Sequence, residues 1–128
     1  MSSDALRSLQ GERYISLETY KRDGNGVRTP VWFAPMGDSL VVVTNGNSYK
    51  VKRLKRNSTI KVAACNMTGK KLRSSFYEGT GEIISDPQTQ KEALGLLDKK
   101  YGWQMKLTAL LGRLSRRRRD WTVLRLNV

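Results

Sequence analysis

Histidine is missing altogether from the 128 residues, and cysteine occurs once, as Cys65. Without an imidazole there is no Ser-His or Cys-His nucleophile, no histidine proton shuttle and no histidine-bound metal. A single thiol excludes an intrachain disulfide, a Cys-rich zinc site and a Cys-ligated iron–sulfur cluster. Cys65 sits in an apolar stretch and reads as a small buried hydrophobe, which fits a reducing cytoplasm. Long apolar runs are also lacking. Val41-Val42-Val43 is the longest strongly apolar run, far too short to cross a bilayer. The N-terminus carries Asp4 and Glu12 and has no apolar signal core, so neither export nor a membrane partner is expected. Acidic residues are scarce: 11 Asp and Glu stand against 24 Lys and Arg, a net charge of +13.

What is present is the composition of a globular chain. Hydrophobic residues make up 38%, and a chain of this length buries ~68% of its unfolded surface. One domain over 1–128 is expected, with 1–12 as an N-terminal arm or short helix carrying Leu6 and Leu9 and ended by Gly11. Period-two alternation predicts strands over 14–20, 27–34, 40–44, 60–65, 72–84 and 121–126. Pro30 interrupts the second of these, which suits an edge, a bulge or a kink. Asp23-Gly24-Asn25-Gly26, Met36-Gly37-Asp38-Ser39 and 66–71 read as turns. Helical spacing appears in three places. Val51 and Leu54 follow the candidate cap Ser48, while Leu94, Leu97 and Tyr101 follow Asp86-Pro87. Leu107, Leu110, Leu111 and Leu114 form a third stripe. Short strands joined by glycine-rich turns point to an antiparallel barrel or sandwich.

Four segments are candidates for chemistry. In 40–57 a strand ends at Thr44 and Ser48 caps a helix carrying Lys50, Lys52 and Arg53. A helix N-terminus with a hydroxyl and a lysine beside it suits a phosphate. The competing reading is a solvated basic face. Arg28-Thr29-Pro30-Val31-Trp32-Phe33 either lines a planar ring or is a core strand with Trp32 or Phe33 buried. Arg113 and the run Arg116 to Arg119 either contact phosphate or form a solvated helix end. Tyr101-Gly102-Trp103 either packs or roofs a pocket.

Thr44-Asn45-Gly46-Asn47-Ser48-Tyr49-Lys50 resembles the T-N-x-x-S-x-K phosphate-binding stretch of the pyridoxamine-5′-phosphate-oxidase-like FMN-binding split barrels. T-P-V-W-F-A at 29–34, K-V-K-R-L at 50–54, E-G at 78–79 and K-Y-G-W-Q at 100–104 resemble that class's subfamily of coenzyme F-420-dependent oxidoreductases. The resemblance implies a mainly β fold with a few helices: a six-stranded antiparallel split barrel, working as a homodimer with cofactor sites between subunits. It implies Ser48 and Lys50 on the cofactor phosphate, Lys52 and Arg53 assisting, and Thr44 on the ribityl chain or phosphate. Thr29, Pro30, Val31 and Trp32 would lie along the ring, and Glu78 and Gly79 near the site. Tyr49 stands where FMN-binding relatives often carry Arg, which places coenzyme F-420, a 5-deazaflavin, ahead of FMN.

The function expected is hydride transfer between coenzyme F-420, or FMN, and a small molecule, with the catalytic residues and the substrate unassigned. The alternatives are a basic nucleic-acid-binding protein using the Arg run with Trp103 and Trp121, ranked below the oxidoreductase, and a cofactor carrier without turnover.

Overall fold

The alternating segments form the strands of one sheet. The computed structural model describes residues 3–46, 48–101 and 121–128. In chain order the elements are α1 (Ser3–Leu9), β1 (Tyr14–Tyr20), β2 (Gly26–Val31), β3 (Ala34–Met36), β4 (Ser39–Asn45), α2 (Tyr49–Arg56), β5 (Thr59–Cys65), β6 (Tyr77–Ile84), α3 (Pro87–Tyr101) and β7 (Trp121–Asn127). The strands lie in the order β2-β1-β5-β6-β7-β4-β3, and every pairing is antiparallel.

The expected six-stranded antiparallel split barrel is corrected to seven strands in one open antiparallel sheet. The reason lies in the stretch predicted as one strand over 27–34. It divides: β2 stops at Val31, Trp32 and Phe33 lie between the two strands, and Ala34–Met36 pairs with β4. β2 and β3 are the opposite edges of the sheet. Three residue steps, from Val31 to Ala34, reach at most roughly 11 Å. The sheet must therefore coil until its edges nearly meet, while their backbones stay unpaired. Pro30 has no N–H to give a ladder, and it lies on edge strand β2.

Alternation sorts the apolar residues into two clusters. Leu40, Val42, Leu124 and Leu126 point inward with Ile15, Leu17, Ile60 and Val62, and Leu9, Val51 and Leu54 of α1 and α2 pack onto them. Val41 and Val123 point outward and are covered by Ala93, Leu97 and Tyr101 of α3. That outward cover explains why β4 reads as an unbroken valine run. The buried α3 stripe starts at Ala93, one residue before the predicted Leu94, which is half-buried.

One further boundary differs from expectation. The strand predicted over 72–84 begins at Tyr77. Residues before it fold back on β5 instead: Arg73 N–H donates to the Ala64 carbonyl and the Ser74 hydroxyl accepts from Ala64 N–H. The strand predicted over 121–126 is β7, and it lies inside the sheet between β6 and β4. Cys65 is buried, as expected. The 107–114 stripe, Arg113, the Arg116–Arg119 run, Gly102 and Trp103 lie outside the described residues, as does the Trp121 side chain. Among the described residues no helix is long and apolar enough to cross a membrane.

Candidate functional site: the cleft at the split

Where the two sheet edges approach, the chain leaves a cleft of about 300 Å³ lined by Tyr14, Pro30, Val31, Trp32, Val43, Thr44 and Lys50. β4 carries Val43 and Thr44 to its rim. The chain then turns, and Ser48 takes an extended N-cap conformation whose Oγ accepts from Val51 N–H at 3.4 Å. This starts α2 so that Lys50, in its first turn, reaches back to Thr44 Oγ1 at 3.4 Å. Ser48 uses an oxygen lone pair for the cap and keeps its proton as a donor.

Lys50 is half-buried, and among the described residues no carboxylate lies within ion-pair distance of it. Burial holds its pKa below the ordinary lysine value, and the Arg53 guanidinium adds to the effect. A half-buried ammonium with no carboxylate beside it favours an anion. Arg53 stands one turn further along α2, and its Nε donates to Thr19 Oγ1 at 2.7 Å.

The opposite wall is set by the crossover between the sheet edges. Trp32 stacks on Tyr101 with centroids 4.9 Å apart and planes at 17°. The Tyr101 hydroxyl donates to the Arg13 carbonyl at 2.6 Å and accepts from Phe33 N–H at 3.0 Å. Burial, outweighing the Phe33 N–H, pushes its pKa up to about 12, so it keeps its proton. Lys100 Nζ donates to the Phe33 carbonyl at 2.9 Å and lies 3.5 Å from the centroid of the Phe33 ring. Of the two readings of Tyr101, packing is the one seen. Tyr101→Phe should cost about 1–3 kcal/mol, because it strands the buried Phe33 N–H. Thermal unfolding would check this, and an unchanged midpoint would contradict the role given to the hydroxyl.

The sequence profile of pyridoxamine 5′-phosphate oxidase matches residues 2–128. The chain belongs to the pyridoxamine 5′-phosphate oxidase family. Solved structures of the same fold include HutZ, the haem storage protein of Vibrio cholerae, at 11% identity and TM-score 0.73, covering 97% of this chain and 87% of that one. A candidate 5-nitroimidazole antibiotic resistance protein of Bacteroides thetaiotaomicron aligns at 18% identity and TM-score 0.70, covering 99% and 81%. A protein of Clostridium acetobutylicum related to general stress protein 26 aligns at 17% identity and TM-score 0.66, covering 98% and 81%. No curated protein matches the sequence.

Within this family fold the predicted site residues separate into three groups. Pro30, Val31, Trp32, Thr44 and Lys50 meet in the cleft. Ser48 and Arg53 stand beside it without lining it. Thr29 and Lys52 lie elsewhere. Thr29 pairs with Leu17 and turns its hydroxyl to the same side, where the oxygen is buried with no partner among the described residues. Lys52 is exposed, 5.3 Å from the centroid of the Tyr49 ring. Glu78 and Gly79 are also away from the cleft. Glu78 makes an exposed 3.8 Å ion pair with Lys61, and Gly79 packs on the chain end at Asn127. Tyr14 and Val43 are cleft residues that pattern reading missed. Their alternation marks them as strand residues, but only the coiling of the sheet puts them on the rim.

Proposed function

We propose that this chain is a flavin- or deazaflavin-binding oxidoreductase that transfers hydride between a cofactor and a small molecule, with coenzyme F-420 as the first choice and FMN as the second. The observation that carries the reading is Lys50: a half-buried ammonium with no carboxylate in ion-pair distance among the described residues, beside the start of α2, in a cleft lined also by Trp32, Val31 and Pro30. The residues present fit a phosphate joined to a planar ring. Lys50, the Ser48 hydroxyl and the backbone N–H groups of Tyr49 and Lys50 at the start of α2 supply donors and positive charge at one end. Trp32, Val31 and Pro30 supply apolar surface at the other, held in place by the Tyr101 clamp. The cofactor supplies the hydride chemistry when bound, and the protein binds and orients it. The subfamily resemblance and Tyr49 after Ser48 favour the deazaflavin. The resemblance to split barrels with cofactor sites between subunits makes a second copy of the chain part of this proposal.

Haem, bound by HutZ, is the other reading the fold neighbours raise. The complete absence of histidine from this chain removes the commonest axial ligand and favours the flavin class. The test is the absorption spectrum of protein purified from a host that makes both FMN and coenzyme F-420, with the mass measured by light scattering. A deazaflavin spectrum on a particle of about twice 14.5 kDa is the expected result. A colourless monomer that binds neither cofactor on titration would overturn the proposal.

A further inference from the structure

A second cleft adjoins the first. It measures about 360 Å³ and is lined by Glu12, Arg13, Tyr14, Cys65, Asn66 and Arg73, together with Gly11. Tyr14, the first residue of β1, lines both clefts. The polar groups of the second cleft have a common character. Arg73 is anchored through its backbone, whose N–H donates to the Ala64 carbonyl at 2.7 Å. Its Nε donates to Glu12 Oε1 at 2.9 Å. The remaining guanidinium N–H groups meet no acceptor among the described residues, and a guanidinium has five donors. Asn66 spends its carbonyl oxygen inside the 66–71 turn, accepting from the Thr68 hydroxyl at 3.1 Å and from Lys71 N–H at 3.2 Å. What it has left is its amide N–H₂. Cys65 is buried, which raises its thiol pKa, and the Glu12 carboxylate raises it further, so it adds no negative charge. The cleft thus presents the spare N–H donors of Arg73 and the Asn66 amide, with the Glu12 carboxylate already engaged by Arg73 Nε, which is donor chemistry that suits an oxyanion.

We propose that this second cleft binds a carboxylate-bearing small molecule, gripped by Arg73 and Asn66 against the Tyr14 wall. Because the same tyrosine borders the cofactor cleft, that molecule would be the hydride-exchanging substrate. The substrate role rests on the cofactor reading above, and the carboxylate site does not.

Glutarate is a suitable probe, with uncharged glutaramide as the control, titrated into cofactor-free full-length protein and followed by the NMR signals of Tyr14 and Asn66. Arg73→Gln should weaken glutarate at least tenfold. Glu12→Gln removes the competing carboxylate and should tighten it several-fold. Arg73→Lys keeps the charge and serves if the Gln variant fails to fold. Lys50→Ala should leave glutarate binding unchanged. Equal affinity for glutarate and glutaramide, or a Glu12→Gln variant that binds more weakly, would overturn the site. Two further titrations separate substrate from cofactor tail. If coenzyme F-420 displaces glutarate while a tail-less deazaflavin phosphate does not, the carboxylate belongs to the cofactor and the substrate assignment falls. If both leave glutarate in place, it stands. Retained glutarate binding with neither cofactor bound would sink the cofactor reading and leave the carboxylate site intact.

Discussion

Gly79→Ala should destabilise the protein by on the order of 3 kcal/mol, lowering the unfolding midpoint by roughly 10 °C. A Cβ at this position would stand 2.0 Å from the Asn127 carbonyl oxygen and 2.8 Å from Val128 Cγ1. The first of these atoms is backbone, so no rotamer change can relieve the overlap. Either the end of β7 moves away from β6, breaking the Thr80–Asn127 pairing, or the variant fails to fold. Gly95 provides the contrast. It lies within α3 at an exposed position, and an added Cβ there meets nothing within 4 Å. Gly95→Ala should stabilise by about 0.5–1 kcal/mol through helix propensity alone. Calorimetry on both variants checks the pair. Equal and small shifts would show that the sheet end yields freely.

The second large effect is on binding. Lys50→Ala should weaken the cofactor by about 1.5–3 kcal/mol, which is roughly 10- to 150-fold in Kd. The apo fold should hardly change. Lys50 has one side-chain bond among the described residues, the 3.4 Å contact with Thr44, and its burial without a counter-charge is a cost that the variant removes. The two measurements therefore diverge: affinity falls while thermal stability stays level or rises slightly. Lys52→Ala is the control, since that side chain is exposed beside Tyr49. If Lys52→Ala costs as much affinity as Lys50→Ala, the loss reflects a diffuse basic surface and not a site.

Much of this chain is legible from local pattern. The cap at Ser48 and the Val51 and Leu54 stripe gave α2 with its start in the right place, because capping and helical periodicity act within a few residues. The turn at Gly37, with φ of 61°, and the buried Cys65 are legible for the same reason. The errors came where one element answers to distant ones. The stretch 27–34 looks like a single strand because its alternation continues, yet it serves both edges of the sheet. Leu97 and Tyr101 of the predicted α3 stripe are buried as expected, and only at its start does Ala93 take the place of Leu94, because what α3 covers on β4 and β7 decides which residue is buried there. At Gly79 the steric demand comes from β7, whose Asn127 carbonyl passes over it, a contact that no local pattern shows.

The sequence by itself determined the strand and turn chemistry, the α2 cap, the exclusion of histidine chemistry and the net charge of +13. These depend on composition and on neighbours within a turn or a strand. Which of those positive charges lines the cleft was decided only by the tertiary structure. Lys50 and Lys52 are two residues apart on one helix. The coiling of the sheet brings Thr44, Val31 and Trp32 to Lys50 and leaves Lys52 in solvent. A charge run specifies how many cations there are; packing against other strands specifies which of them is half-buried with no carboxylate beside it among the described residues.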